Sequence, residues 1–228
     1  MTGTEDWQEF ARPPSPCPAV WTARYAAPMP DGRALWLPLR DFGATAVAGL
    51  IANQASFVVL NRLAAWMAEA ARPLRPDIVV GLPTLGHAVA VPLARALGHA
   101  NWVAPGTTRK LWYDAALSVP THSITAPDAG RRIWLDPRLL PRLQGRRVLL
   151  VDDVLSTGAS ARAGIALLEA AGLRPVGVCV AMIQGDRWRA VWDAGLPVTA
   201  AFATPRFART EAGWSPIEGT SCDALCAT

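Results

Sequence analysis

Lysine is nearly missing from this chain. Of 22 basic residues, 21 are Arg, and the single Lys is Lys110. Against so uniform a preference, a retained ammonium hints at a task that a planar guanidinium does not serve. Long basic runs are also absent. The net charge of +4 is dispersed, and Arg131-Arg132 and Arg146-Arg147 read as solvated ends of strands, so nucleic acid is not an expected partner. No apolar run reaches the roughly 20 residues that span a bilayer, although 51% of the residues are hydrophobic and the mean hydropathy is +0.20. Asn53 and Gln54 interrupt the most lipophilic region, and Met1 to Asp6 is acidic with no apolar segment behind it. Neither a membrane partner nor a signal peptide is expected, and the expected location is cytoplasmic. Cysteine is scarce: four residues, none in a CxxC pair. Cys179 lies in an apolar run and reads as core, while no further feature supports a metal or disulfide at Cys222 and Cys226.

What is present centres on thirteen residues, Val148 to Ser160. Val148-Leu149-Leu150-Val151 shows no polar alternation, as in a parallel strand covered on both faces. Two carboxylates, Asp152 and Asp153, follow where such a strand emerges. Then Ser156-Thr157-Gly158-Ala159-Ser160 leads into a helical pattern from Ala161 to Ala171. A strand, a small-residue turn and a helix N-terminus make an anion site, because backbone N–H groups converge there and Gly158 lets the backbone approach a phosphate. The carboxylates cannot hold that anion, so they must hold sugar hydroxyls or a metal. A phosphorylated ribose satisfies both halves. Two other readings fare worse. A response-regulator receiver needs a Lys downstream, and none of the 75 residues after Asp153 is Lys. Helix-capping acids sit directly at the helix start, whereas these precede it by several residues.

The stretch resembles the phosphoribosyl pyrophosphate (PRPP) signature of the type I phosphoribosyltransferases at every position: four aliphatics, two acids, two small or aliphatic residues, then Ser, Thr, Gly, a small residue and Ser. The resemblance implies an α/β fold, a mostly parallel central sheet flanked by helices with a flexible lid hairpin and a small hood. It implies that Ser156, Thr157, Gly158, Ala159 and Ser160 hold the ribose 5′-phosphate. Asp152 and Asp153 would contact the ribose hydroxyls and Mg²⁺, directly or through water.

Along the 228 residues, one such domain with an appendage is expected. The expected divisions are 1–70, a hood of arm, edge strand and long helix; 71–204, the core; and 205–228, a tail of little periodicity. Six prolines before residue 34 forbid a helix and suggest an extended arm. Leu35 to Leu39 reads as an edge strand, because Pro38 cannot donate to a central ladder. Thr45 reads as the N-cap of one helix running to about Ala71. Asp77 to Gly81 reads as the first buried strand, and Leu82-Pro83-Thr84-Leu85-Gly86 turns into a helix ending near Leu97 with Pro92 inside it. That second strand–loop–helix junction resembles the family's pyrophosphate-binding loop. His87 reads as a helix-face histidine. After a strand at Asn101 to Ala104 come Arg109 and Lys110, which resemble the lid pair of adenine phosphoribosyltransferases, with Tyr113 travelling beside them. The hairpin strands are expected at Ser118–Thr125 and Arg131–Leu135. Later strands are expected at Pro175–Met182 and Pro197–Ala203, with a short helix over Arg187–Trp192 between them.

The implied reaction is displacement of pyrophosphate from PRPP by a base nitrogen, with Asp152, Asp153, Arg109 and Lys110 as its catalytic set and a homodimer as its assembly. Hypoxanthine-guanine enzymes carry a base-facing Asp where Ser156 stands here, so adenine or xanthine is the better-matched acceptor, and a purine is expected. Two alternatives stay open: a non-catalytic PRPP-sensing regulator, and an enzyme with a non-purine acceptor. A regulator of this kind adds a DNA-binding domain or a basic face, and neither is evident here.

Overall fold

The computed structural model describes residues 6–121 and 131–221. The N-terminal part contributes four strands, β1 (Phe10–Ala11), β2 (Arg24–Pro28), β3 (Ala34–Asp41) and β4 (Thr45–Ala48), before helix α1 (Phe57–Ala71). Next come β5 (Ile78–Gly81), α2 (Gly86–Ala96), the hairpin β6 (Ser118–Pro120) and β7 (Arg132–Trp134), and the short α3 (Leu140–Leu143). The centre of the chain is β8 (Val148–Leu155), α4 (Ala159–Ala170), β9 (Gly177–Gln184) and β10 (Val198–Thr204). Two final strands, β11 (Arg206–Thr210) and β12 (Gly213–Pro216), complete it.

The core sheet is parallel in the order β10-β9-β8-β5. The strand expected at Asn101–Ala104 is reduced to a parallel bridge between Val103 and Val80 on the free side of β5. Chain direction therefore reverses between β5 and β8: one connection runs outward to Val103, the next returns past β5 to β8. In open α/β sheets that switch point leaves a crevice at the carboxyl ends of the two strands. Alternation along β8 explains its unbroken apolar run. Leu149 and Val151 join α1 and α2 in one core, while Val148 and Leu150 join α4 and the β6–β7 hairpin in the other. Both faces are covered, so neither needs polar residues. Cys179 is in the first core, as expected, and burial pushes its thiol up to about 12. Cys222, Cys226 and the hairpin tip at 122–130 lie outside the described residues. Among those described, no helix is long and apolar enough to cross a membrane.

The second sheet corrects three expectations. Thr45 does not cap a helix; it starts β4, and the helix begins at Phe57 with Ser56 as its N-cap, the Ser56 hydroxyl accepting from Val59 N–H at 3.2 Å. Hydroxyl caps are local, but whether the short Thr45–Ala48 run pairs as a strand is decided by distant partners. Its partners are β3 and β11. Nor is β3 an edge. It pairs with β2 up to Pro38 and with β4 from Leu39 onward, so the proline falls at the handover, where its carbonyl accepts from Gly49 N–H at 2.8 Å. Finally, the stretch after Pro205 is not an irregular tail. β11 and β12 form an antiparallel hairpin that extends the N-terminal sheet through β4, giving the path β1-β3-β4-β11-β12 with β2 on β3.

Ser56→Ala is expected to cost about 1 kcal/mol, while Thr45→Ala has no helix cap to remove; urea denaturation of the two variants separates the assignments. Alkylation of the native protein with peptide mapping should label exposed Cys17 and spare Cys179.

Candidate active site

Strand β8 does not stop before the acids, as the sequence suggested. It continues to Leu155, with Asp152 opposite Val180 of β9 and Val154 opposite Met182, so both carboxylates sit within the ladder. They are 7% and 8% exposed, and Asp153 N–H donates to Asp152 Oδ1 at 3.0 Å. Burial raises the pKa of Asp152 well above the carboxylate range, and the neighbouring charge of Asp153 raises it further; burial also raises that of Asp153. Unpaired buried charge is costly, so the pair is primed for a ligand that offers hydroxyls or positive charge. The two acids differ in outlook. Asp153 lines a cavity of about 900 Å³, whereas Asp152 is roofed by Gly86: a Cβ there would stand 2.8 Å from Asp152 Oδ1.

Beyond Leu155 the chain turns through Ser156, Thr157 and Gly158, the last with φ of +82°. Helix α4 starts at Ala159, two residues earlier than the pattern suggested, so Ala159 and Ser160 belong to its first turn. No side chain caps this helix. Its first N–H groups, which have no intrahelical partner, are left without a side-chain acceptor, and Ser156 to Ala161 all line the cavity. The junction after β5 is the second arm. Leu82 N–H donates to Val151 O at 2.8 Å, tying this loop to β8, and the Pro83–Thr84 peptide is cis. Helix α2 likewise starts without a side-chain cap, at Gly86. Of Leu82 to Gly86, only Leu85 lines the cavity; Leu82 is core, Thr84 is exposed, and Gly86 closes over Asp152.

The Phosphoribosyl transferase domain model matches residues 47–195, which include both arms of this site and the paired acids. The chain belongs to the phosphoribosyltransferase family. Among curated relatives, it is 36% identical over 143 residues to the adenine phosphoribosyltransferase of Frankia casuarinae, covering 60% of this chain and 67% of that one. The adenine phosphoribosyltransferase of Rhodospirillum centenum is 36% identical over 112 residues, 46% of this chain and 58% of the relative. A solved adenine phosphoribosyltransferase from Thermoanaerobacter pseudethanolicus superposes with a TM-score of 0.52 at 21% identity, over 64% of this chain and 81% of that one, a likeness of fold. The expected type I fold and the reading as a PRPP-dependent phosphoribosyltransferase enzyme are borne out.

The segment expected to form a lid stands away from the site at the residues described. Arg109 and Lys110 are exposed and do not line the cavity; the Arg109 guanidinium rests over the Trp134 ring, 5.3 Å from its centroid. Tyr113 N–H donates to Lys110 O at 3.0 Å, and its ring lies 6.4 Å from that of Trp134. The opposite wall is formed by Leu39 to Phe42, Val47 and Gly49 to Ile51, within the 1–70 segment expected as the hood, although sequence reasoning named none of these as site residues. Sequence reasoning also missed Gln184 and Arg187. Gln184 had a readable signal: it is the polar terminus of an apolar strand at the same carboxyl edge as the acids. Its Nε2 donates to Ala48 O at 2.7 Å, tying β9 to the second sheet.

Gly86→Ala tests the roof directly. The added methyl must displace the Asp152 side chain or the strand beneath it, and a misplacement of about 1 Å within an active site costs on the order of 10²-fold in rate. Steady-state kinetics should show that loss.

Proposed function

We propose that this chain transfers the 5-phosphoribosyl group of PRPP to a ring nitrogen of a purine, releasing pyrophosphate. One observation carries the reading: the uncapped start of α4, the buried acid and the hood strands β3 and β4 line a single cavity. A purine is supported by the adenine phosphoribosyltransferases at 36% identity and by Ser156 standing where a base-facing Asp would mark a hypoxanthine-guanine enzyme.

In this reading the amides of the first turn of α4 and the hydroxyls of Ser156, Thr157 and Ser160 hold the 5′-phosphate. Asp153, with Asp152 behind it, orients the ribose hydroxyls. Residues 82–86 receive the pyrophosphate. The purine lies against the hood, taken as the N-terminal sheet completed by β11 and β12. The bond from C1 to the pyrophosphate oxygen breaks with its electron pair leaving on pyrophosphate. The base nitrogen then bonds C1, and the base loses its N–H proton. The transition state is oxocarbenium-like, so alignment of base and C1 and exclusion of water are the chain's main tasks. Arg109 and Lys110 reach the leaving group once their loop exchanges Trp134 for the cavity mouth, placing positive charge where negative charge develops.

Asp152 and Asp153 also suit Mg²⁺. No cluster of three or more metal-ligating side chains occurs among the described residues, and Mg²⁺ is held by one or two carboxylates plus water and substrate phosphates rather than by a protein cage. Bound there, the ion would neutralise pyrophosphate charge. A homodimer is part of the same proposal; the exposed pair Phe57 and Val58 at the start of α1 supports it, and light scattering tests it.

The deciding experiment measures pyrophosphate release from PRPP and Mg²⁺ with adenine, guanine, hypoxanthine, xanthine, uracil and orotate. Release with one purine and appearance of its nucleotide is expected. Saturable PRPP binding with no release would reassign the chain as a sensor. Asp152→Asn with Asp153→Asn should abolish turnover while circular dichroism stays native. Lys110→Ala should lower kcat on the order of 10²-fold, by analogy with loss of one transition-state donor, with PRPP binding much less affected.

A further inference from the structure

The anion site at α4 has an electrostatic gap. Ser156 to Ala161, the residues of the loop and helix start that line the cavity, contain no cation, and the buried acids beside them supply none. Amides and hydroxyls alone must hold a phosphate dianion unless a side chain arrives from elsewhere. Arg40 lines the opposite wall of the cavity, and Arg187 lines it beside the loop, where its Nη2 donates to Ser156 Oγ at 3.1 Å.

Several contacts fix it there. β9 is followed by Gly185, whose φ of +69° turns the chain out of the sheet and whose N–H donates to Thr204 O at 2.8 Å. After Asp186, the five residues Arg187–Val191 form a 3₁₀ turn that packs under the phosphate loop. The direction in which a Gly158 Cβ would point meets Val191 Cγ2 at 3.3 Å, Trp188 Cβ at 3.7 Å and Trp192 Cε3 at 3.8 Å. Trp188 is buried and meets Trp192 edge-on at 5.5 Å, so the turn is anchored rather than free. The nearest carboxylate in sequence, Asp186, is engaged by Arg206 at 2.9 Å. Among the described residues no carboxylate pairs with Arg187.

We propose that Arg187 is a binding residue for the 5′-phosphate, supplying from outside the signature the cation that the loop lacks. Its planar fork suits bidentate contact with phosphate oxygens, and the bond to Ser156 sets the fork beside the loop before ligand arrives. The inference rests on the PRPP reading of the cavity. It separates the two ends of the ligand: Arg187 serves the ribose phosphate and leaves pyrophosphate to residues 82–86.

Calorimetry with ribose 5-phosphate and, separately, magnesium pyrophosphate tests it on wild type, Arg187→Gln and Arg187→Lys. Arg187→Gln should weaken ribose 5-phosphate binding about 10- to 100-fold, the range for a hydrogen bond to a charged group, with pyrophosphate affinity within about twofold. Arg187→Lys, which keeps charge without the fork, should fall between. In kinetics the KM for PRPP should rise with kcat within about threefold. Unchanged ribose 5-phosphate affinity in a natively melting Arg187→Gln, or an equal loss for pyrophosphate, would overturn the assignment. Failure of the wild type to bind ribose 5-phosphate and PRPP alike would instead remove the reading beneath it, and this inference with it.

Discussion

Two adjacent carboxylates buried on the central strand are the constraint around which this molecule is arranged. A strand covered on both faces ordinarily carries only apolar residues, and Val148 to Val151 obey that rule. Asp152 and Asp153 break it one residue later. Breaking it is tolerable only at the carboxyl edge of the sheet, where the chain direction reverses and a crevice opens. Their surroundings follow from this. Gly86 leaves room for Asp152 Oδ1, Leu82 N–H ties the neighbouring loop to β8, and two helices start nearby with no side chain occupying their first N–H groups. Negative charge is thus set between two positive helix ends. A ligand with a sugar between two phosphate-bearing ends has the matching pattern.

The second sheet matters because it walls the crevice rather than because it adds bulk. It is coupled to the core by a few specific links: Gln184 to Ala48 O, Asp186 to Arg206, and the direct passage from β10 into β11 through Pro205. Two of these lie at the end of β9, so the strand that flanks the acids also positions the opposite wall. Among the described residues, Arg109 and Lys110 have no such tie to the cavity. Arg109 is held on Trp134 of the hairpin, a cation–aromatic contact of modest strength that a phosphate-bearing ligand can outcompete.

The strand, turn and helix that bear the signature were legible because each is set by neighbours in sequence: an apolar run, a glycine at positive φ, small residues entering a helix. The parallel core followed, since strands and helices alternate from Asp77 to Ala203. What could not be read was pairing between distant segments. Thr45 to Ala48 has the composition of a helix start, and only β3 and β11 make it a strand. Pro38 argued for an edge, yet a strand can change partners at a proline without losing a bond there. The residues of the hood wall and Arg187 went unnamed as site residues for the same reason: what brings each to the cavity is contact across the chain, not local pattern.

The placement of β11 bears on the order in which the molecule is made. β4 carries Val47 into the cavity wall, and one of its two edges is covered by β3. The other is covered by residues 206–208, synthesised long after it. While the chain emerges from the ribosome, the parallel sheet can assemble as soon as β10 appears. The wall of the crevice keeps an open β edge until a further few residues clear the exit tunnel. A nascent chain whose residue 204 has just cleared the tunnel would hold a finished turn after β8 beside an unsealed strand, a state in which self-association competes with closure of the wall.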